Sequence, residues 1–268
     1  MMTAQRITLL PFEDAALIAY RDPEAEKLAP KRRAVIVCPG GAYIKRAAHE
    51  GEPVAMKFAA AGCATFVLEY TVEKKAANYA PLCQLALAIK HVREHAEEYT
   101  VDPDYIFTCG FSAGGHLAAS AGVLWDVPAV QTVLGDAPRG IGKPTGMVLC
   151  YPIITSEEPY INHGSFIRVC GNPTPTKEET DRFSLEKHVD ATTPPAFFWH
   201  TFADTGVPME NSLLLAAALR KYGTPFELHI FPEGAHGLGL CDGTKGDPLP
   251  HNACWIDLAI RWVLDLKV

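Results

Sequence analysis

Six short apolar runs, at residues 34–38, 64–69, 105–109, 147–151, 196–200 and 226–231, alternate with longer stretches of helical composition, and this alternation constrains the fold more than any other feature. Nearly continuous apolar strands must be covered on both faces, and the intervening helices supply that cover. The pattern predicts an α/β fold with a mostly parallel central sheet and helices on both sides. Helical stretches fall at 53–61, 81–98, 113–124, 209–222 and 251–266. In the second of these, Leu82, Leu85, Leu87, Ile89 and Val92 form a broad apolar stripe, with His91, Glu94, Glu97 and Glu98 left for a wet face. Upstream, the apolar runs 7–10 and 15–20 flank Pro11-Phe12-Glu13-Asp14 and read as a hairpin at the sheet edge. Residues 155–190 break the alternation with Pro, Gly, Asn and charges, as a lid or substrate loop inserted in a compact domain does. Residues 1–268 are expected to close around a single core.

Charge narrows the partners. The formal net charge is −7, and the one basic cluster is Lys31-Arg32-Arg33, the solvated entry to a strand. Nucleic acid and anionic membrane are therefore not expected, because both draw affinity from clustered Lys and Arg. No basic segment followed by an apolar run opens the chain, and no segment has the length of an apolar membrane span, so the expected location is cytoplasmic. Of eight cysteines, Cys38, Cys109 and Cys150 end β-like runs and none forms a CxxC pair, which reads as reduced core thiols. The histidines lack metal-ligand spacing, so neither metal nor cofactor is expected.

Chemistry concentrates at Gly110-Phe111-Ser112-Ala113-Gly114-Gly115, between the run 105–109 and a helical stretch. GxSxG has meaning only in a strand–turn–helix setting, and that setting is present. A sharp turn there strains the serine backbone and leaves its hydroxyl exposed at a helix N-terminus, where free N–H groups favour developing negative charge. Ser112 is the candidate nucleophile. Cys38-Pro39-Gly40-Gly41-Ala42-Tyr43 follows the run 34–38 with small residues, so the N–H groups of Gly41 and Ala42, with that of Ala113, are candidate oxyanion donors. A serine needs a base, itself oriented by a carboxylate. Asp204 lies in the loop after the run 196–200, and His236 in the loop after 226–231; they are the candidate acid and base. His116 and His200 are read as local supports, and Tyr43, Tyr160 and Phe166 as substrate contacts.

With these residues assembled, the sequence resembles the bacterial α/β-hydrolase esterases related to acetyl xylan esterases and the feruloyl-esterase-like group. The likeness runs from Arg33 to the C-terminus through PGGAY, EGEPVAMKFAAAGCATFVLEY, GFSAGGHLA, PPAFFWHTFADTGVPMENS and PEGAHGLGL. It implies the α/β-hydrolase fold, a Ser112–Asp204–His236 triad, a Gly41, Ala42 and Ala113 oxyanion hole, and hydrolysis of a small carboxylic ester such as an acetylated sugar or oligosaccharide. Ala42 departs from the family, which often has a third glycine there. A homodimer is the protein partner allowed for. Two other readings stay open. A prolyl-oligopeptidase-like serine peptidase uses the same motif order but is expected to carry a propeller, and only about thirty residues precede the first core strand. A non-catalytic binding protein on this fold is expected to have lost a triad member.

Overall fold

The computed structural model describes residues 2–26 and 30–267. Eight strands among them, β1 (Thr3–Leu9), β2 (Phe12–Arg21), β3 (Arg32–Cys38), β4 (Ala64–Glu69), β5 (Val101–Phe111), β6 (Gly146–Cys150), β7 (Ala196–Thr201) and β8 (Phe226–Phe231), form one sheet in the order β1-β2-β4-β3-β5-β6-β7-β8. From β4 to β8 every pairing is parallel. The hairpin β1–β2 joins β4 antiparallel and makes one edge. It is longer than the sequence runs indicate, because polar residues such as Thr3, Gln5 and Arg6 continue the pairing on an edge that faces water. The helices are α1 (Pro23–Glu26), α2 (Glu52–Ala60), α3 (Ala80–Glu94), α4 (Ala113–Val123), α5 (Pro128–Leu134), α6 (His163–Cys170), α7 (Lys177–Asp181), α8 (Glu210–Lys221) and α9 (Trp255–Asp265).

Strand alternation divides the core in two. In β3, Ala34, Ile36 and Cys38 face the layer of α3 and α4, whereas Val35 and Val37 face that of α2 and α9. The same split separates Met147 and Leu149 from Val148 and Cys150 in β6, and Phe198 from Phe197 and Trp199 in β7. Residues that alternate between two buried layers leave no polar face, and this is why these strands read as unbroken apolar runs. Six cysteines are buried, Cys170 is half-buried and Cys254 exposed, all as free thiols.

Helix α4 is buried along its whole length, so its small residues set how closely it approaches the sheet. A methyl on Gly114 would run into the Cys38 and Pro39 carbonyls, so glycine there lets the first turn of α4 seat against the end of β3. The predicted helix 81–98 stops at Glu94, where His95 leaves helical geometry. Within 155–190 lie α6 and α7. Among the described residues no single helix is long and apolar enough to cross a membrane. Gly114→Ala is expected to lower the urea midpoint by the equivalent of about 1–3 kcal/mol, as overpacking does; an unchanged midpoint would mean that α4 has room to shift.

Candidate active site

The loops after β3, β5, β6, β7 and β8 lie at the carboxyl ends of the parallel strands, where open α/β sheets bind their ligands. Ser112 sits between β5 and α4 at φ 53°, ψ −118°, a sparsely populated conformation for a residue with a side chain. Its N–H donates to the Cys150 carbonyl at 3.0 Å, and its carbonyl accepts from His116 N at 3.0 Å, so the strained unit is tied to β6 and α4. His236 Nε2 lies 2.7 Å from Ser112 Oγ, and His236 Nδ1 lies 2.7 Å from Asp204 Oδ2. The three candidate catalytic residues thus meet in one hydrogen-bonded line.

Asp204 is fixed independently of the imidazole. Its Oδ1 accepts the N–H groups of Gly206 and Val207, each at 2.9 Å. His200, fully buried, directs Nε2 to the Val207 carbonyl at 2.9 Å and to Asp204 Oδ2 at 3.3 Å, while its Nδ1 meets Ser212 Oγ at 2.9 Å. Because a carbonyl only accepts, His200 Nε2 carries a proton. Burial alone would raise the Asp204 carboxyl, but hydrogen bonds from His200 and His236, the His236 charge and the Val207 N–H outweigh it and hold the group well below the usual carboxylate range. An acid that stays ionised can fix the tautomer of the base and stabilise its charged form.

Ser112 and His236 open into a cleft of about 820 Å³ whose wall includes Gly41 and Ala42. The N–H groups of Gly41, Ala42 and Ala113 donate to no acceptor among the described residues. A methyl on Gly41, at φ +126°, would collide with the Lys45 carbonyl, so the tight loop requires glycine there. Ala42 adopts φ 54°, a left-handed conformation that glycine reaches more cheaply, which is a physical reason for the usual third glycine. Asn162 reaches this cleft from the 155–190 segment. Lys45, Arg46 and Lys245 also line it, and the one carboxylate in its lining among the described residues belongs to buried Glu50.

The predicted aromatic contacts do not line this cleft. Tyr43 is 2% exposed and its hydroxyl is 2.9 Å from His116 Nδ1, so it is a core residue beneath the loop rather than a wall of the cleft. Phe166 is 1% exposed and packs against the His116 ring, because α6 turns its apolar side inward. Tyr160 is half-buried and engaged through its backbone carbonyl, which accepts from Asn211 Nδ2 at 3.1 Å. Sequence reasoning missed Glu50, which is 2% exposed and accepts the Gly40 N–H at 2.8 Å and the Tyr151 hydroxyl at 2.7 Å. An acidic residue just ahead of a helix ordinarily reads as a solvated companion to the helix dipole, so no local signal marked it. Among the described residues no group of three His, Cys, Asp or Glu could hold a metal ion.

The solved structure of an acetyl ester-xyloside bifunctional hydrolase from Caldicellulosiruptor lactoaceticus is 36% identical to this chain, with a TM-score of 0.83 over 96% of this chain and 94% of that one. This chain belongs to the α/β-hydrolase esterases. Within this α/β-hydrolase, the BD-FAE family profile matches residues 20–141 and that of the prolyl oligopeptidase family residues 155–252. Endo-1,4-beta-xylanase B of Butyrivibrio fibrisolvens is 39% identical over 215 residues, and the acetylxylan esterase of Xylanibacter ruminicola 27% over 247. Those matches take in 79% and 89% of the α/β-hydrolase chain but only 33% and 47% of the two proteins, so it spans a third to a half of these curated relatives.

One turn along α4 from Ser112, His116 gives the site a pH signature. Burial pushes its imidazole down to about 4, opposed in part by its bond to the Phe183 carbonyl. Its folded value lies below the unfolded value of about 6.5, so below that pH the unfolded chain takes up a proton that the folded chain refuses. Stability is therefore expected to fall by about 1.4 kcal/mol per pH unit through this group as pH drops from roughly 6.5 to 4. His116→Gln should flatten that part of a Tm-against-pH curve; a parallel curve would remove His116 as its source.

Proposed function

We propose that this chain is a serine esterase that removes small acyl groups, acetyl first among them, from the hydroxyls of a sugar or short oligosaccharide. The observation that carries the reading is the unbroken line from Asp204 through His236 to Ser112, opening into a cleft beside the unpaired N–H groups of Gly41 and Ala42. In the first step His236 Nε2 takes the Ser112 proton as Oγ attacks the ester carbonyl, and the imidazolium then protonates the departing alcohol. Water, deprotonated by the same nitrogen, attacks the acyl-enzyme and releases the acid. During both steps the Gly41, Ala42 and Ala113 N–H groups face the position where negative charge develops; loss of one such donor typically costs about 3–4 kcal/mol of transition-state stabilisation.

Substrate class is supported by similarity to proteins named for acetyl ester and xylan chemistry. Against the peptidase reading stands the charge of the cleft. Lys45, Arg46 and Lys245 line it, and among the described residues its lining has no exposed carboxylate to receive a peptide amino terminus. The 155–190 segment acts in this proposal as a substrate loop through Asn162 rather than through its aromatic residues. A cytoplasmic setting belongs to the proposal too, supported by the adjacent buried Cys109 and Cys150 thiols.

A panel of p-nitrophenyl esters, acetylated xylo-oligosaccharides and aminoacyl p-nitroanilides tests the reading. Acetate esters and acetylated oligosaccharides are expected to turn over, with Ser112→Ala slower by roughly a thousandfold or more. Preference for the anilides would favour the peptidase.

A further inference from the structure

The catalytic line explains how Ser112, His236 and Asp204 face one another, but not what keeps the oxyanion loop and the histidine loop in register. The short turn Ala48–Glu50, just ahead of α2, touches both. Glu50 Oε2 accepts the Gly40 N–H at 2.8 Å, immediately before the oxyanion donors of Gly41 and Ala42. Glu50 Oε1 accepts the Tyr151 hydroxyl at 2.7 Å, and that hydroxyl accepts the Gly239 N–H at 2.8 Å. His49 Nε2 donates to the Gly237 carbonyl at 2.9 Å. Two points on the histidine loop and one on the oxyanion loop are therefore held from one turn, and the Tyr151 ring packs edge-on against His236 at 5.1 Å.

Chemistry restricts what can stand at position 50. The Gly40 N–H can only donate, and Tyr151, already accepting from Gly239, has its own proton to give. The group between them must accept on both sides: a carboxyl group offers an accepting oxygen to each, whereas an amide has one oxygen and an NH2 that only donates. Among the described residues no Lys or Arg forms an ion pair with Glu50; the basic group beside it is His49, whose Nε2 lies 3.7 Å from Glu50 Oε1, and the Glu50 side chain is 3% exposed. A buried carboxylate without such a partner is costly, and two hydrogen bonds offset only part of that cost.

We propose that Glu50 is a positioning residue that acts through Gly40 and Tyr151 to set the distance between the oxyanion donors and the general base. It touches no reacting atom. This inference rests on the esterase reading above.

The test compares Glu50→Gln, Tyr151→Phe and the double variant with wild type. Readouts are kcat and KM for p-nitrophenyl acetate, the rate of Ser112 labelling by a fluorophosphonate, and Tm. Tyr151→Phe keeps the ring, the Gly40–Glu50 bond and the His49–Gly237 bond while removing the tie from Glu50 to Gly239. Each single variant is expected to lose roughly tenfold to a hundredfold in kcat and in labelling rate, with KM within about threefold, measured well below its Tm. The double variant should be little worse than the poorer single variant, because both cut one chain of contacts. If Glu50→Gln does not fold, Tyr151→Phe decides alone. Wild-type kcat in a folded single variant, or losses that multiply in the double, would overturn the proposal. A wild type that labels but hydrolyses no ester would sink the esterase reading, and the labelling rates would then still decide the role of Glu50. A wild type that neither labels nor hydrolyses would overturn both.

Discussion

Everything at this site depends on one backbone unit, Ser112 held at φ 53° between a buried strand and a buried helix. Such a conformation costs about 1–3 kcal/mol and persists only where the surroundings over-determine it. Here they do, through the Cys150 carbonyl on one side, the first turn of α4 on the other, and a close seat on β3 that Gly114 allows. The strain turns a buried residue outward. Ser112 is 7% exposed as a whole, yet its hydroxyl borders the cleft and meets the imidazole.

From that unit the other parts follow the sheet. Parallel strands end on one side, so the residues just beyond β3, β7 and β8 arrive together although they stand far apart in the chain. Adjacency of loops does not by itself give a hydrogen-bonded line, which requires partners fixed to fractions of an ångström. The buried polar network supplies that fixing. His200, Ser212 and two backbone N–H groups hold Asp204, and Asn211 ties the acid loop to the start of the 155–190 segment through bonds to the Ile154 and Thr155 N–H groups at 2.8 and 3.0 Å.

Much of this was legible in the residues, for identifiable reasons. Strands in the buried middle of the sheet read as nearly unbroken apolar runs, and the six runs fall on β3 to β8, with Tyr151 just past the end of β6 and the half-buried edge strand β8 keeping Glu227 and His229. GxSxG and the loops holding Asp204 and His236 follow those strands directly, so order along the chain translated into nearness in space. Local spacing carried no information about burial. Tyr43 and Phe166 stand next to motif or loop residues and read as substrate contacts, but both turn inward onto His116. Glu50 and Tyr151 are separated by 101 positions, and only the closed sheet brings them to 2.7 Å. Helices α5, α6 and α7 are short and packed by tertiary contacts, so their sequences lack the long period that marks a helix.

In the proposed mechanism Ser112 is activated by His236, which lies 2.7 Å from its hydroxyl, and a fluorophosphonate probe followed by intact-protein mass reports that reactivity without reference to any substrate. Expected are a single adduct on Ser112 in the wild type, none in Ser112→Ala, and a labelling rate at least about a hundredfold lower in His236→Ala. An unlabelled wild type, or equal labelling of Ser112→Ala, would contradict it.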